Sequence, residues 1–460
     1  MAKAKSAAAP TSDAKASPPT AKTEPRARVR MYRQGLGDCL YVELLRGQQA
    51  PFRIMIDCGL VLGAKGATTT MQAVMADLVD TLGSASLDLL VVTHPHWDHV
   101  SGFLQAKDDF AKINADAVWL GWPEDPADPL AVKLSSIHAG AETALRASID
   151  KLTALGLNEN ARQTQSLIDF LGAAPSAGGG TTRDAVKAAA AKVRVPRYCR
   201  PADPPVLIPG TEARIFVLGP PRDVAELRQM DPTSRNPETY SLTALDGLYG
   251  LAGVFGEGEE DDQRPFNASV TIPLADARQL AFFRNSYAAA DVAWRRIDTD
   301  WLEDTQNFAL LLDRAVNNSS LVLAIELEPG GPVLLFAADA QVGNWLSWLK
   351  LRWTIGDRVV TGPDLIARTI VYKVGHHASL NASLRAEGVE RMNDLQYAFV
   401  PVDAVEAKAK GWGGNIPFAA LLEALKRQTA PAGAVLRSDE IWSGTDPAIT
   451  PSKLAYEVLL

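Results

Sequence analysis

The sequence predicts a mixed α/β protein, and three observations carry that prediction. Several short apolar runs lack polar alternation, as strands covered on both faces do; residues 89–92, 321–325 and 333–338 are of this kind. Between such runs lie stretches of helical period. In residues 71–82 the apolar positions Met71, Val74, Met75, Leu78 and Leu82 share one helical face. Turn residues punctuate the runs, as Pro329-Gly330-Gly331 does between two strands of a hairpin.

The elements follow in chain order. Residues 1–28 are rich in Ala, Lys, Pro, Ser and Thr and hold no large apolar residue after Met1, so they read as a disordered tail without a signal-peptide core. A single domain is expected over 29–460. It opens with two short strands around Gln34-Gly35-Leu36-Gly37-Asp38, whose glycines permit a tight turn. A third strand ends in Asp57-Cys58-Gly59. After the helix of 71–82, the apolar strand at 87–92 runs into Thr93-His94-Pro95-His96-Trp97-Asp98-His99. A helix is expected from Gly102 to about Ile113, then a strand at 117–122.

Residues 123–196 read as a mostly helical insertion, with a break at Gly178-Gly179-Gly180 and with Leu145, Ile149, Leu152 and Leu155 on one stripe. Strands resume at 206–209 and 213–219. Residues 222–308 form a second, polar and irregular insertion with an acidic patch at 257–262. The hairpin of 321–338 ends at Asp339. A further strand ends in Lys373-Val374-Gly375-His376-His377, and a closing strand–helix–strand follows to about residue 439.

The cluster at 94–99 is the chemical centre. Three of the six histidines of this 460-residue chain fall there, beside Asp98. Imidazole and carboxylate are what a divalent metal takes as ligands. His94 and His96, two apart in an extended segment, point the same way. Asp98 and His99 follow where the chain turns and can approach from another side.

Composition narrows the remaining choices. No apolar run nears the roughly 20 residues that span a bilayer. Cys39, Cys58 and Cys199 make no disulfide framework and have no metal-binding spacing, which points to the cytoplasm. The formal charge is −8, and the first 30 residues alone carry seven Lys/Arg against two Asp/Glu. The acidic body disfavours a dedicated nucleic-acid binder, while leaving room for an enzyme that meets phosphate through metals.

Thr93-His94-Pro95-His96-Trp97-Asp98-His99 resembles the T-H-x-H-x-D-H motif of metallo-β-lactamase-fold hydrolases. The G-x-G-D turn at 35–38, the strand-end Asp57, the element ending at Asp339 and the K-x-x-H-H-G-S-like run at 373–379 extend the resemblance. It is closest to the metallo-β-lactamase-like domain of DNA-uptake channel proteins and their soluble relatives. It covers residues of about 29–122, 205–221, 315–380 and 396–440. Ala338 and Ala378 stand where the family usually has glycine.

The resemblance implies a four-layered αββα sandwich and two divalent ions, Zn²⁺ with Mn²⁺ or Fe as alternatives. His94 and His96 would bind the first ion, and Asp98, His99 and His376 the second, with Asp339 bridging. Asp57 would hold a ligand histidine from beneath. His377 would orient substrate or donate a proton; exchange of His376 and His377 is the alternative. His138, the only histidine between His99 and His376, is the candidate third ligand of the first ion; its helical setting equally suits a surface or packing histidine. The implied activity is hydrolysis of a phosphodiester by a metal-activated hydroxide, with nucleic acid among the candidate substrates. A small-molecule lactone, ester or thioester hydrolase is the alternative, and a non-catalytic metal-binding module is a third reading.

Overall fold

The computed structural model describes residues 26–83, 85–154, 180–230, 312–410 and 414–460, together with scattered positions in 158–165 and 272–289 and residue 412. The tail to residue 25, the acidic patch at 257–262, Leu155 and the glycines Gly178 and Gly179 lie outside the described residues.

The chain is mixed α/β with two large sheets. The first begins with strands β1 (Ala27–Tyr32), β2 (Leu40–Arg46), β3 (Gln49–Ile56), β4 (Leu89–Val92), β5 (Val118–Gly121) and β6 (Arg197–Cys199). The second holds β7 (Val206–Leu207), β8 (Arg214–Gly219), β9 (Val322–Glu326) and β10 (Val333–Phe336). A separate hairpin, β11 (Arg352–Ile355) and β12 (Arg358–Thr361), precedes β13 (Thr369–Lys373), β14 (Tyr397–Val400) and β15 (Ala434–Arg437) of the second sheet. Strands β16 (Ile449–Pro451) and β17 (Ala455–Leu459) return to the first sheet, where β17 pairs with β1. The first sheet therefore has eight strands and the second seven.

Alternation along the strands sorts the core. Leu89 and Val91 of β4 join Leu323 and Ile325 of β9 in one buried cluster that unites both large sheets. Leu90 and Val92, on the opposite face of β4, pack with Met71, Val74 and Leu78 of α1 (Ala67–Leu82). The same cluster takes Val100 from α2 (Trp97–Val100), Phe103 from α3 (Gly102–Gln105) and Phe110 from α4 (Lys107–Phe110). The helix expected over 102–113 is thus two short turns, which part at Ala106.

Within 123–196 the structure has α5 (Pro129–Ala154) and α6 (Thr182–Ala190), matching the helical reading. Yet Ala185 and Ala189 of α6 are buried in the core beside β4, so this end is part of the domain body. After α7 (Val224–Arg228), the second sheet's other face packs on α8 (Val342–Trp348), α9 (Gly362–Ala367) and α10 (Ala419–Thr429).

The expected tail boundary at residue 28 moves. Ala27 and Arg28 belong to β1, and the Arg26 amide donates to the Leu460 carbonyl at 2.6 Å. Among the described residues no helix is long and apolar enough to cross a membrane.

Candidate metal centre

Strand direction brings the site together. β3 and β4 run parallel in the first sheet, and β10, β13 and β14 run parallel in the second. Asp57 follows β3, His94 follows β4, Asp339 follows β10 and His377 follows β13, so both sheets contribute strand ends to one cleft. Carboxyl ends of parallel strands are where α/β sheets expose unpaired backbone and bind ligands. The Leu321 amide donates to the Thr93 carbonyl at 2.9 Å and ties the two edges together.

Glycines let the backbone of the histidine cluster lie flat on its supports. A Cβ on Gly59 would stand 2.2 Å from the Asp98 carbonyl carbon, and one on Gly37 would stand 2.7 Å from the Asp98 carbonyl oxygen. In their place run hydrogen bonds, Asp38 N to Asp98 O at 2.9 Å and Cys58 N to His99 O at 2.7 Å. Five of the six non-glycine residues with positive φ among the described residues belong here: Asp57, Ala338, His376, His377 and Ala378. Such strain concentrates where a side chain must be aimed.

Asp98, His99, Asp339 and His377 form a buried group whose ligand atoms lie within 4.8 Å of one another and could hold a metal ion. His377 Nε2 is 2.8 Å from Asp98 and 3.7 Å from Asp339. His99 Nε2 is 3.3 Å from Asp339. The rings of His94 and His99 lie 4.1 Å apart, and those of His94 and His96 lie 4.8 Å apart.

The back of each ring is already engaged. His99 Nδ1 donates to Asp57 at 2.8 Å, and His377 Nδ1 donates to the Pro401 carbonyl at 2.8 Å. Thr93 Oγ1 gives its proton to Asp57 at 2.6 Å, so it accepts from His94 Nδ1 at 3.1 Å. Bonds of this kind fix the tautomer and leave the Nε2 lone pair for a ligand-binding role.

The geometry exchanges the expected places of the two neighbouring histidines. His377, not His376, stands in the donor group. The left-handed backbone at both residues turns His376 away, toward Asn317 at 3.3 Å and Ser379 at 2.8 Å. His138 is not brought to the group either. It pairs with Glu142 one turn along α5 at 2.8 Å and lines a cavity above His96.

Three further residues at the site were not assigned from sequence. Asp38 and Asp339 both bind the ammonium of Lys373, which also donates to the Ala338 carbonyl at 2.8 Å. A lysine inside the apolar run of β13 was the available signal. Asp313 stands 3.6 Å from His96 and lies in a stretch with no local signal.

Electrostatics test whether a cation fits. Asp38, Asp57, Asp98, Asp313 and Asp339 are all buried here against one buried lysine. Carboxylates so enclosed are costly unless compensated. Burial pushes the Asp98 carboxyl up, but the His99 charge and the His377 hydrogen bond outweigh it and bring its pKa to about 2. Burial lowers the pKa values of His99 and His377, and Asp339 leads the carboxylates that raise both above the ordinary range. Burial holds His96 and His376 down at about 4. Burial and then the Asp98 charge push Asp313 up. His94 Nε2 and Asp98 Oδ1 are buried with no hydrogen-bond partner among the described residues. Excess buried negative charge, aimed lone pairs and unpartnered atoms are what a divalent cation would satisfy. The second carboxylate group, Asp38 and Asp57 with His99, already takes the Lys373 ammonium through Asp38.

No protein-family model matches this chain, and no curated protein sequence matches it.

Proposed function

We propose that this protein is a metal-dependent hydrolase of the metallo-β-lactamase type, acting on a phosphodiester. The observation that carries the reading is the inward-facing donor set: His94, His99 and His377 with their Nδ1 atoms engaged behind, and Asp98 and Asp339 between them. The two large sheets sharing one core, with helices on the opposite face of each, support a four-layered αββα sandwich.

His94 and His96 would hold one ion, Asp98, His99 and His377 the other, with Asp339 shared. Zn²⁺ suits these donors, and Mn²⁺ or Fe fits the same set. Such ions supply an acidified water and polarise the oxygen of the scissile group. The chain's own residues do the positioning. Asp57 holds His99 and, through Thr93, the Nδ1 side of His94. Lys373 holds Asp339 and restrains its charge. His376, half-buried and neutral at pH 7, is left to orient the substrate.

Metal analysis together with a substrate panel of a bis-aryl phosphodiester, single-stranded DNA and an acyl lactone tests the reading. Phosphodiester turnover with added Zn²⁺ or Mn²⁺ is expected. Its absence, with less than one metal per chain, would refute the assignment. Lactone turnover alone would move the substrate to the carboxylic esters.

A further inference from the structure

We propose that the cavity above His96 is a subsite for an aliphatic arm of the substrate, which makes the substrate a small ester-type molecule carrying an alkyl or acyl chain. This rests on the hydrolase reading and narrows it.

The cavity measures about 310 Å³, at the lower end of small-molecule pockets. Pro95 and His96 form part of its wall, so it is continuous with the metal centre. Its aliphatic side chains include Leu134 and Ile137 of α5, Val224 and Leu227 of α7, and Leu312 and Val316 of the segment before β9. Among the described lining residues none is Phe, Tyr or Trp. Proteins that bind unpaired nucleobases stack them on such rings; this wall offers methyl and methylene groups instead.

Charge points the same way. Arg183 and Arg228 stand at the wall with Glu124 and Glu142, and His138 is paired to Glu142. The described lining residues therefore carry no net positive charge of the kind that gathers a phosphate backbone. An alkyl chain needs no such charge and gains from each methylene removed from water.

The test uses n-alkylphosphonates of increasing chain length, titrated calorimetrically into the purified protein. A parallel series of 4-nitrophenyl alkyl phosphates is followed by turnover. Kd is expected to fall, and kcat/KM to rise, by up to about fourfold per methylene until the cavity is full. Ala139→Phe on α5 and Ala315→Phe on the segment before β9 fill the space from two elements, and each should flatten the chain-length dependence. If one fails to fold, the other serves. A Kd independent of chain length overturns the subsite, as does an unchanged gradient in a folded filled variant. Displacement of octylphosphonate by a single-stranded oligonucleotide at lower concentration overturns it in favour of nucleic acid. A binding gradient without turnover of any ester keeps the subsite and removes the hydrolase; turnover without a gradient does the reverse.

Discussion

Gly59→Ala is the sharpest single perturbation of the site. The added Cβ would sit 2.2 Å from the Asp98 carbonyl carbon and 2.3 Å from the His99 amide nitrogen. Both are backbone atoms, so no side-chain rotation relieves the contact. Ordinary contact begins at 3.4 Å, so the backbone carrying Asp98 and His99 must retreat by roughly 1 Å. Overpacking of this kind costs about 1–3 kcal/mol, and a 1 Å misplacement of reacting groups costs on the order of 100-fold in rate. The control is Gly140→Ala on α5, whose Cβ would meet nothing within 4 Å and which should stabilise by about 0.4–1 kcal/mol. Urea denaturation reads stability, and metal stoichiometry by elemental analysis reads the site. A Gly59→Ala protein with wild-type midpoint and wild-type metal content would refute the proposed packing.

Ala338→Gly and Ala378→Gly should stabilise or be neutral, against the ordinary trend for Ala→Gly, because both alanines hold positive φ. The left-handed conformation costs L-residues about 1–2 kcal/mol, and denaturation midpoints check the sign. Asp98→Ala should lower metal content and abolish turnover while the far-ultraviolet circular dichroism stays folded; retained turnover would refute the assigned centre. Glu326 is buried and accepts from Arg358 at 2.9 Å and from the Gly330 amide at 2.9 Å. Burial pushes its carboxyl up, but these bonds and the Arg368 charge outweigh that and hold it below the usual glutamate value. The stabilisation it gives is present above the unfolded pKa of about 4.3 and is lost as pH falls through the lower folded value. Glu326→Gln should cost about 1–3 kcal/mol at pH 7, and the difference from wild type should vanish in acid; a pH-independent difference would contradict this.

What the sequence revealed depended on how local the signal was. β4 and the 94–99 cluster were readable because an unalternated apolar run must be covered on both faces. β1 reaches back to Ala27, where it pairs with β17 as well as with β2, and no local pattern carries a pairing between Arg28 and Leu459. The choice between His376 and His377 turned on two left-handed residues and a carbonyl, Pro401, that arrives with the next strand. Asp313 reaches His96 from a stretch that carries apolar residues but no ligand motif to mark it. Lys373 shows the intermediate case: its oddity in an apolar strand was visible, but its partners Asp38 and Asp339 come from opposite sheets.

The β1–β17 pairing also sets an order of events during synthesis. β1 is made before β17, and the edge it offers to β17 stays open until about 430 further residues have emerged, because Arg28 pairs with Leu459. An unpaired strand edge is a template for other chains, and late-arriving partners prolong that exposure. The nascent chain therefore carries an aggregation hazard along β1 for as long as β17 is missing, and removing residues 455–459 would make that transient hazard permanent.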